Sequence, residues 1–133
     1  MKNVFYSLYI ITTILVSSCT PNNPTTPNNQ TTYSGKYKGD VVLTYSGNIT
    51  QFGMVIDLST RNSSSELNFL FGNRQAIMIL NGNNFTIPRV QGAPSFVVYG
   101  SGYFLDSGKI YIDYTEEVQQ GNTQNFRGTL KKF

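Results

Sequence analysis

The stretch YSGKYKGDVVLTY, residues 33–45, decides the fold class. Tyr33, Gly35, Tyr37, Gly39, Val41, Leu43 and Tyr45 fall on one side of an extended chain, and Lys36, Lys38, Asp40 and Thr44 on the other. Successive side chains of a strand point to opposite faces, so this alternation predicts a long strand with one face buried. The same period of two continues downstream. Phe52, Met54, Ile56 and Leu58 alternate with Gly53 and Asp57, and Leu67, Phe69 and Phe71 with Glu66 and Asn68. Ala76 to Leu80 is continuously apolar, but the Asn81-Gly82 that follows favours a tight hairpin into Asn84 to Ile87, because both residues tolerate positive φ. Pro88 and Pro94 bracket an expected loop. Phe96 to Leu105 reads as a long strand, and Asp106-Ser107-Gly108 turns it into Lys109 to Tyr114. Asn125 to Lys131 closes the series, with Phe126, Gly128 and Leu130 inward. No window holds a 3.6-residue period. Eight strands with mostly short turns predict an all-β domain, an eight-stranded antiparallel up-and-down meander closing as a small barrel, with an open β-sandwich as the alternative.

Upstream of this domain the composition changes twice. Residues 20–32, TPNNPTTPNNQTT, contain no large apolar side chain and repeat Pro, Asn and Thr, which predicts a tether without a core of its own. Before it, Lys2 leads into an apolar run from Val4 to Val16 that ends in Val16-Ser17-Ser18-Cys19. Ser7, Thr12 and Thr13 interrupt that run, and it falls short of the ~20 apolar residues of a membrane span. The positive start, apolar core and small residues before a cysteine resemble a bacterial lipoprotein signal. That resemblance implies removal of residues 1–18, acylation (palmitate among the chains) at Cys19, and a lipid anchor for residues 19–32 and the domain at 33–133. Each buried CH₂ adds ~0.8 kcal/mol, so two or three chains hold a protein on a membrane where one does not. Thr20 after the cysteine, instead of Asp, favours the outer membrane, with the domain in the cell envelope facing the periplasm.

Charge and residue inventory narrow the function. The net charge is +3, falling to about +2 without Lys2, and the basic residues look scattered along the sequence, with Lys131-Lys132 read as a solvated end. Nucleic acid is not an expected partner. The chain has no His and one Cys, so Ser-His-Asp and Cys-His catalysis and zinc sites built on those residues are excluded, as is an intrachain disulfide. No cofactor or metal is expected. Asp113, Glu116 and Glu117 form the only acidic cluster, and the expected polar loop from Glu116 to Thr123 makes them a solvated hairpin tip. The protein is therefore expected not to be an enzyme. Binding remains, to a partner protein or a small apolar ligand. The inward glycines Gly39, Gly100, Gly102 and Gly128 leave interior room, although eight strands enclose little more than their own side chains. Outside, Tyr99, Tyr103 and Tyr111 project from neighbouring strands and offer apolar bodies with polar tips.

Two resemblances sharpen these expectations. The layout of lipobox, polar tether and meander resembles small bacterial lipoproteins with a lipocalin-like, or calycin-like, barrel. In calycins Gly-x-Trp opens the first strand, and a basic residue of the last strand packs across that ring. The corresponding residues here are Gly35-Lys36-Tyr37 and Arg127, with Tyr replacing Trp and Arg127 on the outward face. Ser107-Gly108-Lys109-Ile110-Tyr111 has the Ser-Gly-x-x-Tyr spacing of periplasmic lysozyme inhibitors, without their Tyr-x-x-x-Thr-Lys-Gly segment or cysteine pair. It implies an alternative function as inhibitor of a hydrolase. A structural subunit of an envelope complex is the third reading.

Overall fold

A computed structural model describes residues 32–92, 96–106, 108–118 and 121–133. The signal at 1–18, Cys19, all of the tether except Thr32, and Ser107 lie outside the described residues.

The described residues form eight strands: β1 (Gly35–Tyr45), β2 (Asn48–Thr60), β3 (Glu66–Phe71), β4 (Arg74–Asn81), β5 (Asn84–Gly92), β6 (Phe96–Asp106), β7 (Lys109–Val118) and β8 (Asn122–Lys132). Each pairs antiparallel with the next, and β8 returns to β1, which closes a ring of hydrogen-bonded strands. The open sandwich is thereby excluded. Tight turns follow from local chemistry. Ser46 and Gly47 both have positive φ (49° and 81°), the conformation that a two-residue hairpin of matching twist requires.

Alternation places the core inside the ring. Tyr37, Met54, Ile56, Leu58, Leu67, Phe69, Met78, Ile110, Ile112, Tyr114 and Leu130 are essentially solvent-free. Burial pushes the Tyr37 hydroxyl up to about 12, helped by Tyr33 and Asp106 nearby, and Tyr37 Oη donates to Tyr33 O at 2.8 Å. The inward glycines do not leave a cavity of their own. A Cβ on Gly102 would lie 2.0 Å from Tyr111 O and 2.5 Å from Phe85 Cζ, so the Phe85 ring and the neighbouring backbone already occupy the space.

Part of each of two expected loops is strand, while Pro94 and residues 119–120 lie outside the described residues. β5 continues through Pro88 to Gly92, with an irregularity between Ile87 and Val90, where a residue without an N–H is tolerated. β7 continues through Glu116 to Val118, so Glu116 is buried inside the ring and is no hairpin tip. The inward series Ile110, Ile112, Tyr114 simply extends by one more residue, and a facing arginine offsets its charge.

The ring has two distinct ends. Where the chain enters, Tyr33 stacks on Phe104 with centroids 3.7 Å apart and donates from its hydroxyl to Asn83 Oδ1 at 2.7 Å. Lys132 Nζ donates to Thr32 O at 3.2 Å and stands 5.9 Å over the Tyr37 ring. The basic residue of the last strand near that ring is thus Lys132. Arg127 is instead bound on the outer face to Asp113, with Nη2 to Oδ2 at 2.6 Å. Gly35 is favoured here by its φ of +131°, while the Lys132 side chain that a Cβ would meet is flexible enough to move aside.

Candidate binding surface

The three outward tyrosines do not form one row. Tyr103 and Tyr111 are direct cross-strand partners and stack, with centroids 5.2 Å apart and planes at 22°. Tyr99 stands four residues along β6, roughly 13 Å away at strand rise. It lies under the Arg89 guanidinium, 5.4 Å from ring centroid to Cζ, and that arginine grips Glu117 at 2.6 Å. Tyr103 is 42% exposed and Leu105 52%, so the outer face of β6 is open to solvent along this stretch.

The acidic cluster separates in a similar way. Asp113 pairs with Arg127, Glu117 with Arg89 and Glu116 with Arg74, each across the ring or between strands. Arg89 hydrogen bonding holds the Glu117 carboxyl below its ordinary range. Glu116 differs because it is 1% exposed. Arg74 Nε approaches its Oε1 at 3.0 Å, and Tyr114 Oη donates to the same oxygen at 3.2 Å. Arg74 Nε is buried, yet its N–H is not aimed well enough to form a hydrogen bond, so the contact acts through charge. Burial pushes the Glu116 carboxyl up, and Arg74 and Tyr114 offset only part of that rise. The Arg74 guanidinium also caps the Phe96 ring at 4.5 Å.

Arg74, Phe96 and Glu116 sit at the end of the ring opposite Tyr33. Phe52, Phe71, Tyr114 and Phe126 meet there in edge and tilted contacts, with centroids 5.3–6.2 Å apart. These rings fill the mouth. A small apolar ligand would have to displace them to enter.

Beside this mouth the β1–β2 hairpin projects. β2 pairs with β1 over Asn48–Leu58 but with β3 only over Ile56–Thr60. Residues flanking a two-residue turn bond to each other, so alternation directs Asn48, Thr50, Phe52 and Met54 to β1. Ile49, Gln51, Gly53 and Val55 turn their N–H and C=O groups the other way. No described residue pairs with that side. The segment carries no charge and no proline, the usual devices that protect an open edge. Ile49 is 71% exposed, Val55 50% and Phe52 37%. A groove of about 420 Å³, lined by Gly53, Val55, Leu70, Phe71 and Gly72 among others, runs where β2 leaves β3. Sequence reasoning missed this edge, although the even spacing through Asn48–Val55 and its lack of charge were both visible.

No protein-family model and no curated protein matches the sequence. Among solved structures the chain is similar to a redesigned β-barrel, with TM-score 0.54 and 11% identity over 80% of this chain and 96% of that one. It is similar as well to EF1p2_mFAP2b bound to DFHBI, with TM-score 0.54 and 10% identity over 80% of this chain and 98% of that one. At such identities the likeness concerns fold alone: the chain is an eight-stranded, up-and-down, barrel-like β domain.

Proposed function

We propose that this is a non-enzymatic binding module of the cell envelope, a lipoprotein anchored through Cys19 and built on a lipocalin-like barrel, which takes a partner protein along the free edge of β2. The observation that carries the reading is the uncharged, unpaired edge at Ile49, Gln51, Gly53 and Val55, bordered by exposed apolar side chains and a groove. An extended segment of a partner adds main-chain hydrogen bonds there and seats alternate side chains beside Val55 and Leu70. The filled mouth favours a protein over a small apolar ligand. The pairing of Asp113, Glu116 and Glu117 with arginines leaves none of them poised as a free base, which supports binding over catalysis. The inhibitor alternative relies on the β6–β7 turn, which lies at the tethered end and away from this edge.

Proline at Gln51 tests the edge, because it removes an outward N–H and leaves the β1–β2 ladder untouched. A photo-crosslinker at Ile49 or Val55 in the producing cell should capture one discrete envelope protein, and Gln51→Pro should abolish that product while melting stays near wild type. Capture from Tyr103 or Tyr111 with none from the β2 edge would overturn the assignment.

A further inference from the structure

Folding assembles a basic face that the linear sequence disperses. Antiparallel closure of β1 on β8 sets Lys38 opposite Lys131 and Tyr37 opposite Lys132, with Lys36 one residue further along. A groove of about 600 Å³ on this side is lined by Lys38, Asp40, Lys131 and Lys132 and reaches Gly53 and Val55 at the base of the β2 edge. Among the described residues, none of Lys36, Lys38, Lys131 and Lys132 enters a salt bridge. The acidic groups nearby are fewer. Asp40 lines the groove, Asp57 stands across from Lys36, and Asp106 is 3.8 Å from Lys109. Apolar groups flank the charges. Phe133 is 61% exposed with Lys38 Nζ 4.6 Å above its ring, and Leu105 is 52% exposed at the same end. This is the end at which the chain arrives, since Lys132 Nζ bonds to Thr32 O.

We propose that this end of the ring is a bilayer-facing surface, in which Lys36, Lys38, Lys131 and Lys132 engage the phosphate groups of anionic phospholipids while Phe133 and Leu105 enter the interface. The inference rests on the reading of Cys19 as a lipid attachment site, which brings this end within reach of a membrane. Residues 20–31 span at most roughly 40 Å when extended, and a much shorter path suffices for a docked domain. Basic side chains beside exposed apolar groups form the combination that holds a surface at an anionic interface. Docking here leaves the tip of the β1–β2 hairpin, at the far end of β1 from Lys36, pointing away from the bilayer, while Gly53 and Val55 at its base border the basic groove.

The test uses the full chain reconstituted with vesicles of phosphatidylcholine alone, or of phosphatidylcholine with phosphatidylglycerol. Flotation reports the anchor, and lysine acetylation by a soluble N-hydroxysuccinimide ester, read residue by residue by mass spectrometry, reports the face. With anionic vesicles, Lys36, Lys38, Lys131 and Lys132 should react on the order of tenfold more slowly than with neutral ones. Protection should vanish in about 0.5 M NaCl, where screening acts within roughly 4 Å. Flotation with both vesicle types but equal reactivity would leave the anchor standing and overturn the basic face. Failure to float with either would overturn both.

Discussion

Replacing Arg74 by leucine tests the interior charge pair most directly. The substitution removes the cation 3.0 Å from a carboxylate that is 1% exposed and leaves only the Tyr114 hydroxyl to compensate it. Breaking a buried pair from one side costs about 3–5 kcal/mol, and the 28% exposure of the Arg74 side chain places this case near the lower figure, about 3 kcal/mol. For a domain of this size that is a melting shift of roughly 12–24 °C at neutral pH. The sign of the pH dependence follows from burial. Glu116 has a native carboxyl raised above its ordinary value of 4.5, so any stability linked to its protonation is fully present below that pH. It is lost as pH rises through the higher native value. In the Arg74→Leu chain the offsetting charge is gone, so the deficit should be largest near pH 7 and shrink as pH falls toward about 4.5. The assay is thermal unfolding followed by near-ultraviolet circular dichroism between those limits, for wild type, Arg74→Leu, Glu116→Gln and the double variant. Glu116→Gln alone should cost less than Arg74→Leu, because the Arg74 side chain is 28% exposed and its guanidinium keeps access to solvent, and added to Arg74→Leu it should recover most of the loss. A deficit that stays under about 1 kcal/mol, or that does not vary with pH, would refute the burial of Glu116 against Arg74.

Tyr103→Ala should lower stability by less than about 1 kcal/mol, because the side chain is 42% exposed and loses mainly its stack on Tyr111. Urea unfolding checks this, and a loss above 2 kcal/mol would require more packing there than the geometry provides. Gly102→Ala should cost about 3 kcal/mol or prevent folding, since its Cβ would collide with the Tyr111 carbonyl and the Phe85 ring. Normal expression and melting of that variant would count against the close approach of β6 to β7. Tyr33→Ala should cost about 3 kcal/mol by unstacking Phe104 and unpairing Asn83, with accelerated hydrogen exchange concentrated at the entry end of β6. Uniform acceleration over the whole ring would mean that Tyr33 supports more than that end.

What the linear chain determines is the path of the backbone. Period-two alternation through Tyr37, Val41, Phe69, Ile112 and Phe126 names the inward face of each strand, because that choice is made by neighbours two residues apart. The turn glycine Gly82 was legible for the same local reason. Even the strand continuation to Glu116 was implied by parity, but a charge at an inward position reads as a strand end until its partner is known. That partner, Arg74, comes from another strand, and so does every other feature of functional interest. The register of β1 on β8 gathers four lysines that looked scattered. The shortness of β3 strips β2 of a neighbour between Asn48 and Val55. The same registers separate Tyr99 from the Tyr103–Tyr111 pair. Which face a residue takes is a local property of an extended chain. What it meets on that face, and whether an edge is covered, depend on the lengths and stagger of strands far away in sequence, which only closure of the ring decides.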